Sequence, residues 1–167
     1  MLTNEEMQQV MDDYASYLVQ LSYLYVKDIQ IAEDIVQESF IKYFQAPTAF
    51  EQRATLKTYL SRIVIHTSID YSRSWKAKKR LLARLIQHEP KQLVATPADA
   101  LTYKLEQTAL MQHVLALPLK YREVILLFYY EEMTTREMAE VLRLSENTVK
   151  TRLRRAREQL KTRIDEQ

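Results

Sequence analysis

One stretch near the C-terminus combines side chains that contact nucleic acids with the spacing of a helix. Asparagine, threonine and arginine reach base edges, and lysine and arginine suit phosphates. With about 100° between successive helical residues, one broad side of the stretch comprises Asn147, Thr148, Lys150, Thr151, Arg152, Arg154, Arg155, Arg157 and Glu158. The opposite side is apolar and comprises Val149, Leu153, Ala156 and Leu160. The pattern predicts a polyanion-binding helix packed on a core; the alternative is a charged surface helix in which Arg154 simply pairs with Glu158.

Capping signals indicate how this helix is positioned. Thr134 and Glu137 have the spacing of a capping box, which predicts a short helix ending near Leu142. Ser145 is a good N-cap for the longer helix, which we expect to run from Glu146 to about Ile164. A short helix, a turn over residues 143–145 and a long basic helix together describe a helix-turn-helix. Arg143 stands in that turn, where glycine is frequent.

A second basic block lies in the middle of the chain. Residues 1–51 have a net charge of −7 and residues 52–91 a net charge of +8, whereas the whole chain has only +2. The basic block predicts a long helix from about Leu56 through Trp75 into a run of lysines and arginines beginning at Lys76. Tyr59, Tyr71 and Trp75 supply aromatic rings near these cations, which suits single-stranded nucleic acid. Burial of Tyr71 and Trp75 in a core is an equal alternative.

Composition excludes several classes of site. Glycine and cysteine are both absent, which excludes glycine-rich phosphate loops, thiolate metal sites and cysteine nucleophiles. The three histidines, His66, His88 and His113, have no metal-binding spacing. Adjacent carboxylates such as Asp12 and Asp13 do not converge on one site along a helix. We therefore expect no metal, no cofactor and no enzymatic activity, and the acidic N-terminus without a long apolar run predicts a cytoplasmic protein.

Helix signals cover most of the chain and predict an all-α fold of two small helical domains. Thr3 with Glu6 starts a first helix, and Asp28 caps a second that Pro47 ends. Pro90 and Pro97 bracket a candidate linker. Thr96, Pro97 and Asp99 restart a helix that we expect to continue to Leu115, and Pro118 opens the next. The predicted domains are residues 1–89 and 98–167, joined by residues 90–97.

Three motifs resemble those of bacterial sigma factors. Residues 117–160 resemble region 4, with its typical ending in TVKTRL and RAR; they read LPLKYREVILLFYYEEMTTREMAEVLRLSENTVKTRLRRAREQL. AEDIVQESFIKYF, residues 32–44, resembles region 2.2, and LSRIVIHTSIDYSR, residues 60–73, resembles regions 2.3 and 2.4. Regions 1 and 3 of the larger sigma factors are missing. The chain is therefore similar to the extracytoplasmic-function (ECF) subfamily of the sigma-70 family.

The resemblance implies an ECF sigma factor that binds core RNA polymerase and directs promoter-specific transcription initiation. Region 2.2 of the family binds polymerase, which implicates Asp34, Ile35, Gln37, Glu38 and Phe40. We expect the apolar members to be mostly core and the polar members to form the interface. The helix Leu119–Tyr130, with exposed aromatic residues, is a candidate contact for the polymerase flap, and residues near the linker would thread toward the polymerase active centre.

The resemblance also implies which residues contact promoter DNA. Regions 2.3 and 2.4 melt and bind the −10 element, which implicates the 46–55 loop and Tyr59, Arg62, His66, Asp70, Arg73 and Lys76. His66 departs from the asparagine that many members have at this position. Region 4 binds the −35 duplex, which implicates Asn147, Thr148, Lys150, Thr151, Arg152, Arg154, Arg155 and Arg157. Many relatives are held by an anti-sigma factor, so one is a candidate partner; membrane insertion is not expected.

The alternative is an autonomous helix-turn-helix regulator that acts without polymerase. In that case the N-terminal half would serve as an effector or dimerisation domain. The basic helix with nearby aromatic residues in that half argues against it.

Overall fold

The computed structural model describes residues 1–47, 55–87 and 108–166, and the regular elements in these ranges are helical, as expected for an all-α protein. The chain divides into two compact units, Met1–Thr102 and Tyr103–Gln167. The predicted linker at residues 90–97 and most of the 46–55 loop lie outside the described residues, so the domain boundaries stay a prediction.

The first unit begins with two helices whose starts match the sequence signals. Helix α1 is Asn4–Val26, and Thr3 and Glu6 form the expected capping box, with N···O distances of 3.2 and 2.7 Å. Helix α2 is Ile29–Gln45, and the Asp28 carboxylate accepts the N–H groups of Gln30 and Ile31 at 3.0 and 3.2 Å. Both predicted caps are confirmed.

Helix α3, Leu56–Ser72, packs against α1 and α2. The three helices bury one core, which includes Leu18, Val19, Ile31, Ala32, Ile35, Val36, Phe40, Tyr43, Leu60 and Val64. A buried hydrogen bond of 2.8 Å joins the hydroxyls of Ser22 on α1 and Ser68 on α3. This core fixes which sides of α2 and α3 face outward.

The predicted single helix through Trp75 is wrong, because the chain breaks at Arg73 and Ser74. Helix α4, Trp75–Gln87, begins after the break. The Ser74 N–H donates to the Tyr71 carbonyl at 2.9 Å, a bond to the third preceding residue, and the Ser74 hydroxyl donates to the same carbonyl at 2.6 Å. Serine side chains that bond nearby backbone compete with helical hydrogen bonding.

The second unit contains four helices within residues 108–166. They are α5, Ala109–Ala116; α6, Leu119–Ile125, which continues as a π-helical turn, Leu126–Tyr130; α7, Thr135–Leu142; and α8, Glu146–Asp165. The expected continuous helix from residue 97 to Leu115 is wrong at Thr108. That residue has extended backbone, and its side chain caps α5 by accepting the Met111 N–H.

A buried arginine fixes the connection between α5 and α6. Arg122 donates from its NH1 nitrogen to the carbonyl oxygens of Leu115 and Leu117, at 3.5 and 3.1 Å. The guanidinium therefore satisfies carbonyls that the end of a helix leaves without helical partners. Sequence reasoning missed this role because Arg122 and its buried neighbour Glu123 look like surface residues.

Candidate nucleic-acid interface

Helix α8 has the two-sided character that its sequence predicts. Val149, Leu153 and Ala156 are 0%, 3% and 0% exposed, and α8 packs against α5, α6 and α7. Asn147, Lys150, Thr151, Arg154, Arg155 and Arg157 are exposed, whereas Thr148 and Arg152 are half-buried. The predicted orientation of the helix is confirmed, and its contact with DNA stays a prediction.

The turn between α7 and α8 is the tight turn of a helix-turn-helix. Thr134 and Glu137 form the expected capping box at the start of α7, and the Ser145 hydroxyl accepts the Thr148 N–H at the start of α8. Arg143 has φ 54° and ψ 45°, the left-handed conformation that usually favours glycine. The Leu144 N–H donates to the Ala139 carbonyl at 3.0 Å and closes the turn.

Several α8 cations have partners within the unit. The Lys150 ammonium lies 3.5 Å from the Glu146 carboxylate. The Arg154 guanidinium lies 3.0 Å from the Glu158 carboxylate, which is the pairing given above as the alternative to DNA binding. These pairs are solvent-exposed, and such pairs stabilise a helix only weakly. A hydrogen bond from Thr135 and the charge of Lys150 lower the pKa of Glu146, which keeps its carboxylate ionised beside the start of α8.

The residues predicted to contact the −10 element form one stripe along α3. Arg62, His66 and Asp70 are exposed and recur every four residues on one side of α3, and the exposed Arg73 follows at its C-cap. The side chain of Lys76 lies outside the described residues.

Two tyrosines that were candidates for nucleic-acid contact belong partly to the core. Tyr59 is half-buried, and its ring meets that of Tyr43 edge to face, with centroids 6.1 Å apart. Tyr71 also packs against the core cluster. This supports the core alternative for Tyr71, while the side chain of Trp75 lies outside the described residues.

Helix α2 presents a polar surface beside the core. Ile35 and Phe40 are each 4% exposed, so they lie in the core, as expected for the apolar members of the predicted polymerase-binding set, and their contact with polymerase stays a prediction. Asp34, Gln37 and Glu38 are exposed, in agreement with the expected division. Sequence reasoning missed Ile41, which is 55% exposed. Its position seven residues after Asp34 and three after Glu38, on the same side, was the available signal.

An aromatic turn lies at the end of α6. The π-helical turn leaves Tyr129 and Tyr130 52% and 50% exposed, while Leu126 and Leu127 are buried. Arg157 donates from Nε to the Tyr129 hydroxyl at 2.7 Å. Burial raises the pKa of both Tyr130 and Glu131. Sequence reasoning named the exposed aromatics but not the π-helical geometry or the contact with Arg157, because neither follows from helical spacing.

Within residues 1–47, 55–87 and 108–166, no group of histidine, cysteine, aspartate and glutamate side chains could hold a metal ion. No helix in the same ranges is long and apolar enough to cross a bilayer.

Comparison with known proteins identifies both units. Residues 10–78 match Sigma-70 region 2, and residues 107–160 match Sigma-70 region 4. The ECF RNA polymerase sigma factor SigW of Bacillus subtilis (strain 168) is 34% identical over 162 residues, which cover 93% of this chain and 87% of SigW. The chain belongs to the ECF sigma factors of the sigma-70 family. RNA polymerase sigma factor SigV of the same organism is 33% identical, over 86% of this chain and 82% of SigV.

Two solved structures share this sigma factor's fold. The sigma factor RpoE, co-crystallised with the anti-sigma factor NepR from Bartonella quintana, aligns with a TM-score of 0.62 and 21% identity, over 95% of this chain and 96% of RpoE. CnrH, in complex with the cytosolic domain of CnrY, aligns with a TM-score of 0.53 and 22% identity, over 98% of this chain and 90% of CnrH. Helices α2 and α3 thus lie in region 2 and α6 to α8 in region 4. As an ECF sigma factor, the chain is a transcription initiation factor that works with RNA polymerase.

Proposed function

We propose that this ECF sigma factor binds core RNA polymerase through α2, captures the −10 element along α3 and holds the −35 duplex with α8. The observation that carries this proposal is α8 itself. Its apolar side is buried against α5, α6 and α7, while Asn147, Thr151 and Arg155 remain exposed. The chain has no catalytic activity of its own and acts in the cytoplasm, where its polymerase partner transcribes.

The polymerase contact lies on the outward surface of α2. Asp34, Gln37, Glu38 and Ile41 recur at intervals of one or three residues and are all exposed. Glu38 also pairs with Lys42 at 2.7 Å, which holds part of the surface in place. An apolar side chain surrounded by polar ones is typical of an interface centre with a polar rim. We therefore add Ile41 to the proposed polymerase-binding residues.

The −10 contact lies on the α3 stripe. Arg62 and Arg73 supply positive charge for the DNA backbone, and His66 and Asp70 between them supply hydrogen-bonding groups for a base. Lys76 follows at the start of α4 and extends the positive charge. Tyr59 lies on the same side of α3 but is half-buried, so it supports the stripe through its contact with Tyr43.

The −35 contact is shared among exposed residues of α8. Asn147, Thr151, Arg154 and Arg155 are suited to base edges, whereas Lys150 and Arg157 at the flanks are suited to phosphates. Thr148 and Arg152 are half-buried, and Thr148 already bonds the N-cap Ser145 at 2.8 Å. Thr148 therefore supports the start of the helix, and both residues contact DNA less than the exposed ones.

An anti-sigma factor is a further candidate partner. The RpoE and CnrH structures are complexes, and the partner of RpoE is named as an anti-sigma factor. The exposed α2 and α3 surfaces are those that such a partner would cover to keep this chain from polymerase and promoter.

Transcription in vitro tests the function directly. Bacterial core polymerase is supplied with a mixed promoter library, with and without this protein, and transcript start sites are sequenced. Initiation at a distinct promoter set only in the presence of the protein supports the proposal and gives its −10 and −35 sequences. If no start sites are gained while the protein alone binds duplex DNA tightly, the autonomous regulator is the better account.

A further inference from the structure

The guanidinium of Arg157 is held by two aromatic residues from the π-helical turn. Its Nε donates a hydrogen bond of 2.7 Å to the Tyr129 hydroxyl. Its Cζ lies 5.1 Å from the ring centroid of Phe128 and 5.6 Å from that of Tyr129, within the range of cation–π attraction. The two rings meet edge to face, with centroids 4.9 Å apart. We call Phe128, Tyr129 and Arg157 the arginine shelf.

The π-helical turn brings the shelf together. The Glu131 N–H donates to the Leu126 carbonyl, five residues back, at 3.1 Å. Leu126 and Leu127 are buried, whereas Phe128 is half-buried and Tyr129 is exposed. The chain thus passes from core to surface within two residues, and Tyr129 reaches a residue 28 positions later in the sequence. π-helical turns within α-helices occur frequently at functional sites.

Arg157 differs from two neighbouring cations in what holds it. Lys150 and Arg154 pair with the carboxylates of Glu146 and Glu158, which offset their charge. Arg157 is held by a neutral hydroxyl and two rings, so its positive charge is retained. A guanidinium has five N–H donors, and the bond to Tyr129 uses the one on Nε. The two terminal nitrogens remain suited to bidentate contact with a phosphate.

We propose that Tyr129 is a positioning residue that holds Arg157 ready to contact a backbone phosphate of the duplex bound by α8. The inference rests on the proposed −35 function of α8. A long side chain that is ordered before binding loses less conformational entropy on binding. The planar guanidinium is held by one hydrogen bond and two rings, and its fork of donors suits bidentate contact better than a lysine does. Tyr129 acts only through Arg157 and does not itself contact DNA.

The test compares promoter binding by holoenzyme reconstituted with full-length Y129F, R157A and the double variant, over a series of salt concentrations. R157A is expected to weaken promoter binding about tenfold and to reduce the magnitude of the log–log salt slope by about 1, because one phosphate contact is lost. Y129F keeps the ring and the charge, so it is expected to weaken binding about two- to fivefold without changing the slope. In the R157A background, Y129F is expected to have no further effect.

Matched controls separate this role from general effects. Y17F removes the hydroxyl of another exposed tyrosine, whose ring centroid lies 4.1 Å from the Lys57 Nζ. K161A removes an exposed charge of α8 that lies outside the proposed contact set. Both are expected to bind like the wild type. If R157A and Y129F lower the melting temperature but leave promoter affinity and salt slope unchanged, the shelf is purely structural and the proposal is overturned. If the wild-type holoenzyme binds promoters with different −35 sequences equally tightly, the proposed function is overturned instead.

Discussion

At the scale of single residues, exposure separates side chains that share a motif. Ile35 and Phe40 fall within the region 2.2 motif together with Asp34 and Glu38, yet the first two are buried and the last two are exposed. On α8, Arg154, Arg155 and Arg157 follow each other closely, but within residues 108–166 only Arg154 and Arg157 hydrogen-bond another side chain. Residue type therefore indicates the chemistry available, and packing determines which member can perform it.

Arg155 and Lys150 provide a paired prediction about base and phosphate contacts. Arg155 is exposed at the centre of the proposed base-reading surface, so R155A is expected to weaken −35 recognition by about 1–3 kcal/mol. Lys150 lies at its edge, so K150A is expected to weaken binding to all sequences alike. Holoenzyme affinity for consensus and scrambled −35 elements measures both. Unchanged discrimination by R155A, or an altered base preference in K150A, would contradict the assignment.

His66 supports a prediction about the −10 element. It is exposed on the α3 stripe between Arg62 and Asp70, where the sequence resemblance led us to expect asparagine. An amide and an imidazole place their donors and acceptors differently, so H66N is expected to change the preferred −10 base while leaving −35 preference unchanged. Sequencing of start sites from a library randomised at −10 measures this. An identical −10 logo for H66N and wild type would remove His66 from base reading.

At the scale of the elements, local signals predicted the helix starts well and the helix interruptions poorly. Thr3, Asp28, Thr134 and Ser145 cap the helices they were expected to cap, because a side-chain oxygen satisfies nearby N–H groups without help from distant residues. The break after α3 and the π-helical turn at residues 126–130 escaped prediction. In both segments the apolar residues keep the spacing of a continuous helix. The altered hydrogen bonds become evident only in the folded chain.

The turn before α8 gives a prediction about stability. Arg143 adopts φ 54°, a conformation that costs a non-glycine residue roughly 1–2 kcal/mol. Glycine removes this strain, but its greater freedom in the unfolded chain cancels part of the gain in stability. R143G is therefore expected to raise the free energy of unfolding by up to about 1 kcal/mol. E140G, at an exposed position within α7, is expected to lower it by about 1 kcal/mol. Chemical denaturation measures both, and similar losses in the two variants would contradict the strain argument.

At the scale of the whole molecule, the chain presents three surfaces, and we propose a different contact for each of them. The α2 surface, the α3 stripe and the exposed side of α8 lie on separate helices, and each is supported by its own buried neighbours. The resemblance to sigma factors predicted this division of labour and the all-α fold. The shelf under Arg157 joins residues 28 positions apart, so no local pattern predicts it. The exposure of Ile41, in contrast, could have been predicted from its spacing to Asp34 and Glu38 along α2.

Ile41 allows polymerase binding to be separated from promoter reading. I41S removes an exposed apolar side chain from the α2 surface without opening a cavity in the core, so the melting temperature is expected to change little. Truncation of a residue at the centre of an interface can cost more than about 1 kcal/mol, so affinity for core polymerase is expected to fall about tenfold. I164S, which alters an exposed isoleucine near the end of α8, is the matched control and is expected to bind polymerase normally.

The pattern of transcription distinguishes this defect from a DNA-binding defect. A sigma factor that binds polymerase weakly loses activity at every promoter by the same factor, and excess protein restores activity because binding follows mass action. R155A should instead lose most activity at promoters that depend on −35, and excess protein should not restore the lost discrimination. Titration of I41S against core polymerase on two promoters with strong and weak −35 elements measures the difference. If the loss in I41S varies with −35 strength, or persists at saturation, α2 does not provide the polymerase contact proposed here.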